Sequence, residues 1–370
     1  MKNSLLCIAL AATLPSLSYA ADSPYFSLKD GDGFKRFSVS VGALHVMPQG
    51  KAQPFKVNTA ASEGIKSKVG EIKTSTVIEN LNPDEKKTLT GNLLTFVDRL
   101  NQKLPFQILG TLPSWMSGSA DVYGLSSWDN PGTGLEADDV TTFGLMSTYF
   151  FTNNIAFEMK AGIPPTVDLQ GKGQIYAPFS ANATPEIKIG NLPGLKLPGL
   201  AMKNDVFITD LEGGGAAASA RAWTPAFEFQ YHFGKQGVNK FRPYLGVGVM
   251  YAYFNELEMN PRIEQDLINA GHMIANIKNG KSGAALEGKP SSANPRVDLD
   301  ATDVFAPVVT AGFTYDFTDR WFAVGSVSYA HLTNETTITV TDDKLGELIR
   351  SKADIEVNPL LLYAGVGIRF

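Results

Sequence analysis

The final stretch of the chain, Leu360-Leu361-Leu362-Tyr363-Ala364-Gly365-Val366-Gly367-Ile368-Arg369-Phe370, sorts by parity into two unlike faces. Successive side chains of an extended strand point to opposite sides. One face here is Leu360, Leu362, Ala364, Val366, Ile368 and Phe370; the other holds Tyr363, Gly365, Gly367 and Arg369. In a soluble sandwich such a strand divides core from water. In a membrane barrel it divides lipid from lumen.

Seven further segments follow the same rule, Trp223–Phe233 and Phe241–Phe254 most clearly and Thr142–Phe150 least so. Strands are expected at about 37–47, 141–150, 154–163, 222–233, 241–254, 303–317, 320–332 and 356–370, near the length a tilted membrane strand needs. Connections alternate short and long: 151–154, 234–240 and 318–319 against 48–140, 164–221, 255–302 and 333–355. Short turns at one end and long loops at the other mark an outer-membrane barrel. The expected fold is all-β, an eight-stranded antiparallel transmembrane β-barrel with short helices in long extracellular loops.

Aromatic side chains test this orientation, because membrane barrels carry aromatic girdles at both interfaces. Tyr149, Tyr231, Phe233, Phe241, Tyr315, Phe317, Trp321 and Phe370 fall at the lower, short-turn end, and Trp223, Tyr251, Tyr253, Phe305 and Tyr329 at the upper. The start of the chain agrees. Lys2, an apolar run from Leu5 to Leu14 and the small-residue pattern Ser18-Tyr19-Ala20 read as an export signal over 1–20, leaving 21–370 as the barrel. No later run approaches the roughly 18 to 20 apolar residues of a membrane helix. The one cysteine, Cys7, lies inside the signal, so no mature disulfide is expected. The net charge of −5 becomes −6 once Lys2 is removed, against a nucleic-acid partner.

Several stretches resemble the outer membrane protein W (OmpW) family: Phe229-Gln230-Tyr231-His232-Phe233-Gly234, then Lys240-Phe241-Arg242-Pro243-Tyr244-Leu245-Gly246-Val247-Gly248, Thr318-Asp319-Arg320-Trp321, and Tyr363 to Phe370. Weaker echoes are Val41-Gly42-Ala43 leading to Pro48, and Thr152 to Ile155. The likeness covers the strands, roughly a third of the chain; the outward loops are much longer than the family's. It implies a monomeric barrel in the outer membrane of a Gram-negative bacterium, among outer-membrane lipid and lipopolysaccharide. It also implies a channel passively admitting small hydrophobic molecules, with sideways exit into the membrane as in the family's alkane-uptake members. Phe370 then resembles the signal read by the barrel assembly machinery.

An eight-stranded barrel encloses little more than its own inward side chains, which excludes a wide aqueous pore. Its interior is graded by height. Leu44, Val46, Met250, Phe254, Val308 and Leu361 form an apolar cup toward the outside, above a polar plug of Glu228, Gln230, His232, Arg242, Asp316 and Arg369. Buried charges must pair, so Arg242 and Arg369 are expected to bridge acids such as Asp316 and Glu228. A greasy molecule would be stopped by the plug. Pro225 and Pro307 lack the N–H a ladder needs and are candidates for a lateral gate, although both also fit ordinary strand starts.

In the loops, Asn82-Pro83-Asp84-Glu85 reads as a helix start, with Leu89, Leu93, Phe96, Val97 and Leu100 on one face. Asn260-Pro261 reads as a second, before Ile263–Ile274, and Asp342 as a cap for a short helix to Arg350. Helices packed as lids and helices lying on lipid both stand. Leu192-Pro193-Gly194-Leu195, repeated as Leu197-Pro198-Gly199-Leu200, is turn-rich. No catalytic elbow or phosphate loop occurs, and His45, His232, His272 and His331 lack metal-ligand spacing, so no catalytic residue, cofactor or metal is expected. Asp298, Asp300 and Asp303 fit calcium ligands or solvated acids. Two other functions stay open: an adhesion or receptor scaffold built on the loops, and a lipid-modifying enzyme using His45 or His331.

Overall fold

A computed structural model describes residues 34–88, 91–92, 94–95, 98, 110–188 and 194–370. The export signal read at 1–20 lies outside them. Eight strands close a barrel: β1 Phe37–Met47, β2 Val140–Phe150, β3 Ile155–Gly162, β4 Ala226–His232, β5 Phe241–Met259, β6 Val304–Asp316, β7 Trp321–Ala330 and β8 Leu360–Arg369. Each pairs antiparallel with its chain neighbour, and β1 meets β8 from Ser38↔Arg369 to Met47↔Leu360. Closure leaves the wall no free edge.

The parity pattern decides which face looks where. In β8, Leu362, Ala364, Val366 and Phe370 are exposed on the outside while Tyr363, Gly367 and Arg369 are buried within. Two inward glycines make room for inward rings. A Cβ on Gly312 would meet Tyr244 at 2.5 Å, and one on Gly367 would meet Phe322 at 2.3 Å. Outward aromatics form two bands, with Tyr231, Phe241, Tyr315 and Trp321 exposed below and Tyr253, Phe305 and Tyr329 above.

Beyond the upper band the sheet continues. β5 runs 19 residues, roughly 60 Å at strand rise and well past the length a membrane strand needs. Its upper part pairs with Ala218–Trp223, which continues through Thr166–Lys172 to Gly134–Ala137. Over this extension the loops build a second folded layer. One sheet orders Arg296–Ala301, Thr333–Asp342, Gly346–Glu356, Phe55–Thr59 and Ser127–Asn130; another orders Leu200–Asp210, Gln174–Thr184, Ser119–Tyr123 and Ile65–Lys68. Phe55, Ile72, Ile274, Ile277 and Leu348 are fully buried in their shared core.

Helix α1, Pro261–Lys278, seals that core. Asn260 caps it, its side chain accepting from the Arg262 N–H at 3.0 Å, and Ile263, Leu267, Ala270 and Ile274 share the buried stripe that helical spacing provides. With its apolar stripe inside the protein, α1 is not a helix laid on lipid. At Asn82 the cap side chain accepts from the Asp84 N–H at 3.2 Å, ahead of a single 3-10 turn at Glu85–Lys87. The apolar face proposed beyond it, Leu89, Leu93, Phe96, Val97 and Leu100, lies outside the described residues.

The expectation of a helix from Asp342 to Arg350 is overturned. Thr333–Asp342 and Gly346–Glu356 form a β-hairpin. The Asp342 carboxylate accepts from the N–H groups of Lys344 and Leu345 at 2.9 and 2.8 Å, and Gly346 takes φ +74°. The hydrogen bonds that would cap a helix here fasten a turn instead. These bonds hold the Asp342 carboxyl below its ordinary pKa, led by those from the Asn294 and Leu345 N–H groups.

Candidate functional site

The site is a cavity of about 470 Å³ that begins inside the upper barrel and rises into the outer layer. The side chains expected for the apolar cup, Leu44, Val46, Met250, Phe254, Val308 and Leu361, lie together in its wall because they occupy the inward parity near the upper ends of β1, β5, β6 and β8. The wall continues upward through Leu135, Leu169, Ala218 and Ile355, from three loops. Sequence reading missed this extension. Its signal was the period-2 pattern of Thr166-Val167-Asp168-Leu169, lost among turn-rich neighbours.

The floor is ionic. Lys160 Nζ donates to Glu228 Oε1 at 2.6 Å, Thr310 Oγ1 at 2.9 Å and Ser328 Oγ at 3.2 Å, and lies 3.8 Å from Glu158 Oε1. Glu158 in turn accepts from Thr148 Oγ1 at 2.9 Å and Gln230 Nε2 at 2.7 Å. Below this tier Gln230 Oε1 is 2.9 Å from His232 Nε2, whose ring stacks on Tyr244 with centroids 4.7 Å apart. At the bottom Arg369 donates to Asp316 at 2.5 Å and lies 4.2 Å over the Phe322 ring.

The structure thus brings Glu228, Gln230, His232, Arg242, Asp316 and Arg369 into one column across the lumen, all buried. It departs from the expected pairing in one respect. Glu228 is bridged by Lys160, not by an arginine, and Arg242 instead donates to the Asn153 carbonyl and lies 5.6 Å over the Phe150 ring. The reason is register: Lys160 sits one strand over at the height of Ala226, within reach of Glu228, whereas Arg242 enters from the lower end of β5. Glu158 and Lys160 went unnamed although both have the inward parity of β3. Together the six charged side chains Glu158, Lys160, Glu228, Arg242, Asp316 and Arg369 balance, which a narrow, poorly hydrated lumen requires.

The two candidate gate prolines differ. β6 pairs with β5 without a break through Pro307↔Val249. Pro225 lies in a gap: β3 and β4 are last paired at Lys160↔Ala226, and pairing resumes only at Thr166↔Arg221. Pro164 and Pro165 occupy the facing side, so three prolines without an N–H line one interruption. The Ala222 N–H donates to the Pro165 carbonyl at 3.0 Å near its upper margin. The cavity lining reaches the outward-facing Leu145 and Phe227 beside this gap, which are 41% and 39% exposed.

The remaining sequence candidates gather into no site. His45 hydrogen-bonds Thr141 at 2.9 Å on the outside of the barrel, and His331 is exposed at the end of β7. Asp303 accepts from the Tyr251 hydroxyl at 2.7 Å. No group of three or more His, Cys, Asp or Glu side chains is set to hold a metal among the described residues. Phe370 is exposed at the lower rim beside Phe37, centroids 6.1 Å apart.

The OmpW family model matches residues 116–270. Outer membrane protein W of Vibrio cholerae is 26% identical over 241 residues, 65% of this chain and 79% of that protein. Among solved structures, outer membrane protein OprG of Pseudomonas aeruginosa aligns over 90% of this chain and 95% of its own, with a TM-score of 0.45 at 14% identity. Outer membrane protein W of E. coli aligns over 90% and 97%, with a TM-score of 0.31 at 15% identity. The family match over part of the chain, the Vibrio relative and a closed eight-stranded barrel with its long loops at one end make this chain similar to the OmpW family and place it among the β-barrels of the Gram-negative outer membrane.

Proposed function

We propose that the barrel passively admits small hydrophobic molecules from outside into the apolar cup and releases them sideways into the membrane. One observation carries the reading: a cavity walled mostly by apolar side chains ends below on an ion-paired floor and reaches laterally to the proline-lined interruption between β3 and β4. A greasy solute gains by leaving water for such a wall, at roughly 25 cal/mol per Å² of apolar surface. Passage straight down would mean breaking buried ion pairs, which cost about 3 to 5 kcal/mol each when one partner is lost. The gap offers a route that breaks none of them. In this reading Pro225 marks the gate, with Pro164 and Pro165, and Pro307 is a strand residue. The solute undergoes no chemistry. Phe370 is proposed as the end read by the barrel assembly machinery, and the working unit as a monomer in outer-membrane lipid and lipopolysaccharide.

The test is uptake of dodecane by cells that depend on this protein for its entry. Met250→Arg places a charge in the cup and is expected to abolish protein-dependent entry. Pro165→Val with Pro225→Val restores two ladder donors and is expected to slow it several-fold. Entry no faster than in cells lacking the protein would end the reading.

A second function, a receptor or adhesion scaffold, is favoured by the outer layer having a core of its own, since a packed layer can present a fixed surface. Loss of surface attachment with uptake retained on loosening that layer would favour it.

A further inference from the structure

We propose that the Lys160 ammonium is a clasp on the lateral opening: it holds the β3–β4 seam shut below the proline-lined interruption and so limits how broad a solute can leave. The inference rests on sideways release from the cup. It goes beyond that reading in naming the residue that sets the width of the exit and the class of solute admitted, slender apolar chains rather than broad fused rings.

The seam needs holding. It runs from Ile155↔Tyr231 to Lys160↔Ala226, six paired positions and the fewest in the wall, against twelve between β5 and β6. Its upper end is a free end, because pairing resumes only at Thr166↔Arg221. Two rungs below that end Glu158 stands directly opposite Glu228, and like charges directly opposite across a strand pair are destabilising. Lys160, on the top rung, answers both: its Nζ is 2.6 Å from Glu228 Oε1 on β4 and 3.8 Å from Glu158 Oε1 on β3. The same Nζ donates to Thr310 on β6 and Ser328 on β7. One side chain of β3 thus ties the free end of the seam to three other strands. Without it two carboxyl groups face each other at the shortest seam in the wall, and the interruption extends downward. Uptake of a proton by one of them would relieve the repulsion and would not replace the lost ties. Lys160 lines the cavity beside Ala226 and Phe227, so the route from the cup to the gap passes over it.

The experiment uses the full protein in the outer membrane and measures protein-dependent entry of labelled dodecane, a slender chain, and of pyrene, a broad fused ring. Lys160→Cys with Ala226→Cys replaces the ionic clasp by a covalent one that can be switched. Positions paired across two strands lie within disulfide reach, and the chain's own cysteine, Cys7, falls in the region read as the export signal. Reduced with dithiothreitol, this variant is expected to raise the pyrene-to-dodecane entry ratio about tenfold over the unaltered protein, the effect of losing one hydrogen bond between charged groups. Oxidised, it is expected to return the ratio to the unaltered value. Ser328→Ala, which removes one tie and leaves the charges paired, is expected to raise the ratio about threefold and carries the test should the cysteine variant fail to assemble. A ratio unmoved by reduction while dodecane still enters, or one raised equally in both redox states, overturns the clasp and leaves the cup and its exit standing. Absence of protein-dependent dodecane entry overturns the exit itself, and the clasp with it.

Discussion

The barrel and the layer above it are both antiparallel sheet, yet they turn opposite faces inward. In β5, Leu245, Val247 and Val249 point out to lipid while Arg242 and Tyr244 are buried inside. In the hairpin strand Thr333–Asp342, Ile338 and Val340 are buried and Thr337, Thr339 and Thr341 look toward solvent. Alternation is the same in both, and the solvent decides which half of it becomes the interior. In lipid the enclosed side collects the groups that need partners. In water it collects the groups that need shelter.

Substitutions matched across the two layers sharpen this contrast. Arg369→Leu strands the buried Asp316 and is expected to destabilise the barrel by about 3 to 5 kcal/mol in denaturant unfolding from vesicles. Arg296→Leu, which removes the exposed pair with Asp343 in the outer layer, should change stability by under about 1 kcal/mol. Phe55→Ala opens the outer core and is expected to cost that layer about 3 to 5 kcal/mol. Hydrogen exchange should then rise in Gly346–Glu356 and not in the lower halves of β5 and β6; loosening of both would mean the layers share one core. Val247→Arg on the lipid face is expected to cost about 2 to 4 kcal/mol, and Thr337→Arg under about 0.5 kcal/mol.

The smallest effect is that of acid. The Asp342 carboxyl is held below its ordinary pKa by the Asn294 N–H and by the Leu345 and Lys344 N–H groups that fasten the outer hairpin, so its contribution is present above the usual carboxylate range and fades as pH falls through the lowered value. Amide protection at Lys344 and Leu345 should weaken below about pH 4, and Asp342→Asn should remove the dependence. Protection unchanged down to pH 2 in the native protein would mean the turn is held by backbone alone.

The barrel was legible because each of its strands carries its own evidence. Parity within Leu360–Phe370 needs no knowledge of the partner strand, and lipid makes the signal strong. The cup followed from the same parity combined with height. The outer layer was not legible, because its sheets are completed by short strands whose partners lie in other loops: Phe55–Thr59, five residues, pairs with Gly346–Glu356 across most of the chain. The alternation of Thr333–Asp342 is plain in the sequence, but Asp342 attracts a helix reading because the same side-chain bonds cap helices and turns. The floor was half legible. Arg242 and Glu228 share the lumen, yet which cation reaches Glu228 depends on the strand register that sets Lys160 beside Ala226, and register between distant strands is not written in either one.

The outer sheets draw their strands from all four long loops, and this constrains the order in which the molecule is made. Phe55–Thr59 can pair on one edge with Ser127–Asn130 of its own loop, but its other edge has no partner until Gly346–Glu356 has also been delivered across the membrane. Pairings this distant form late. The exterior layer is therefore the last to be completed, and each emerging hairpin waits at the cell surface with its apolar side uncovered until the eighth strand is in place.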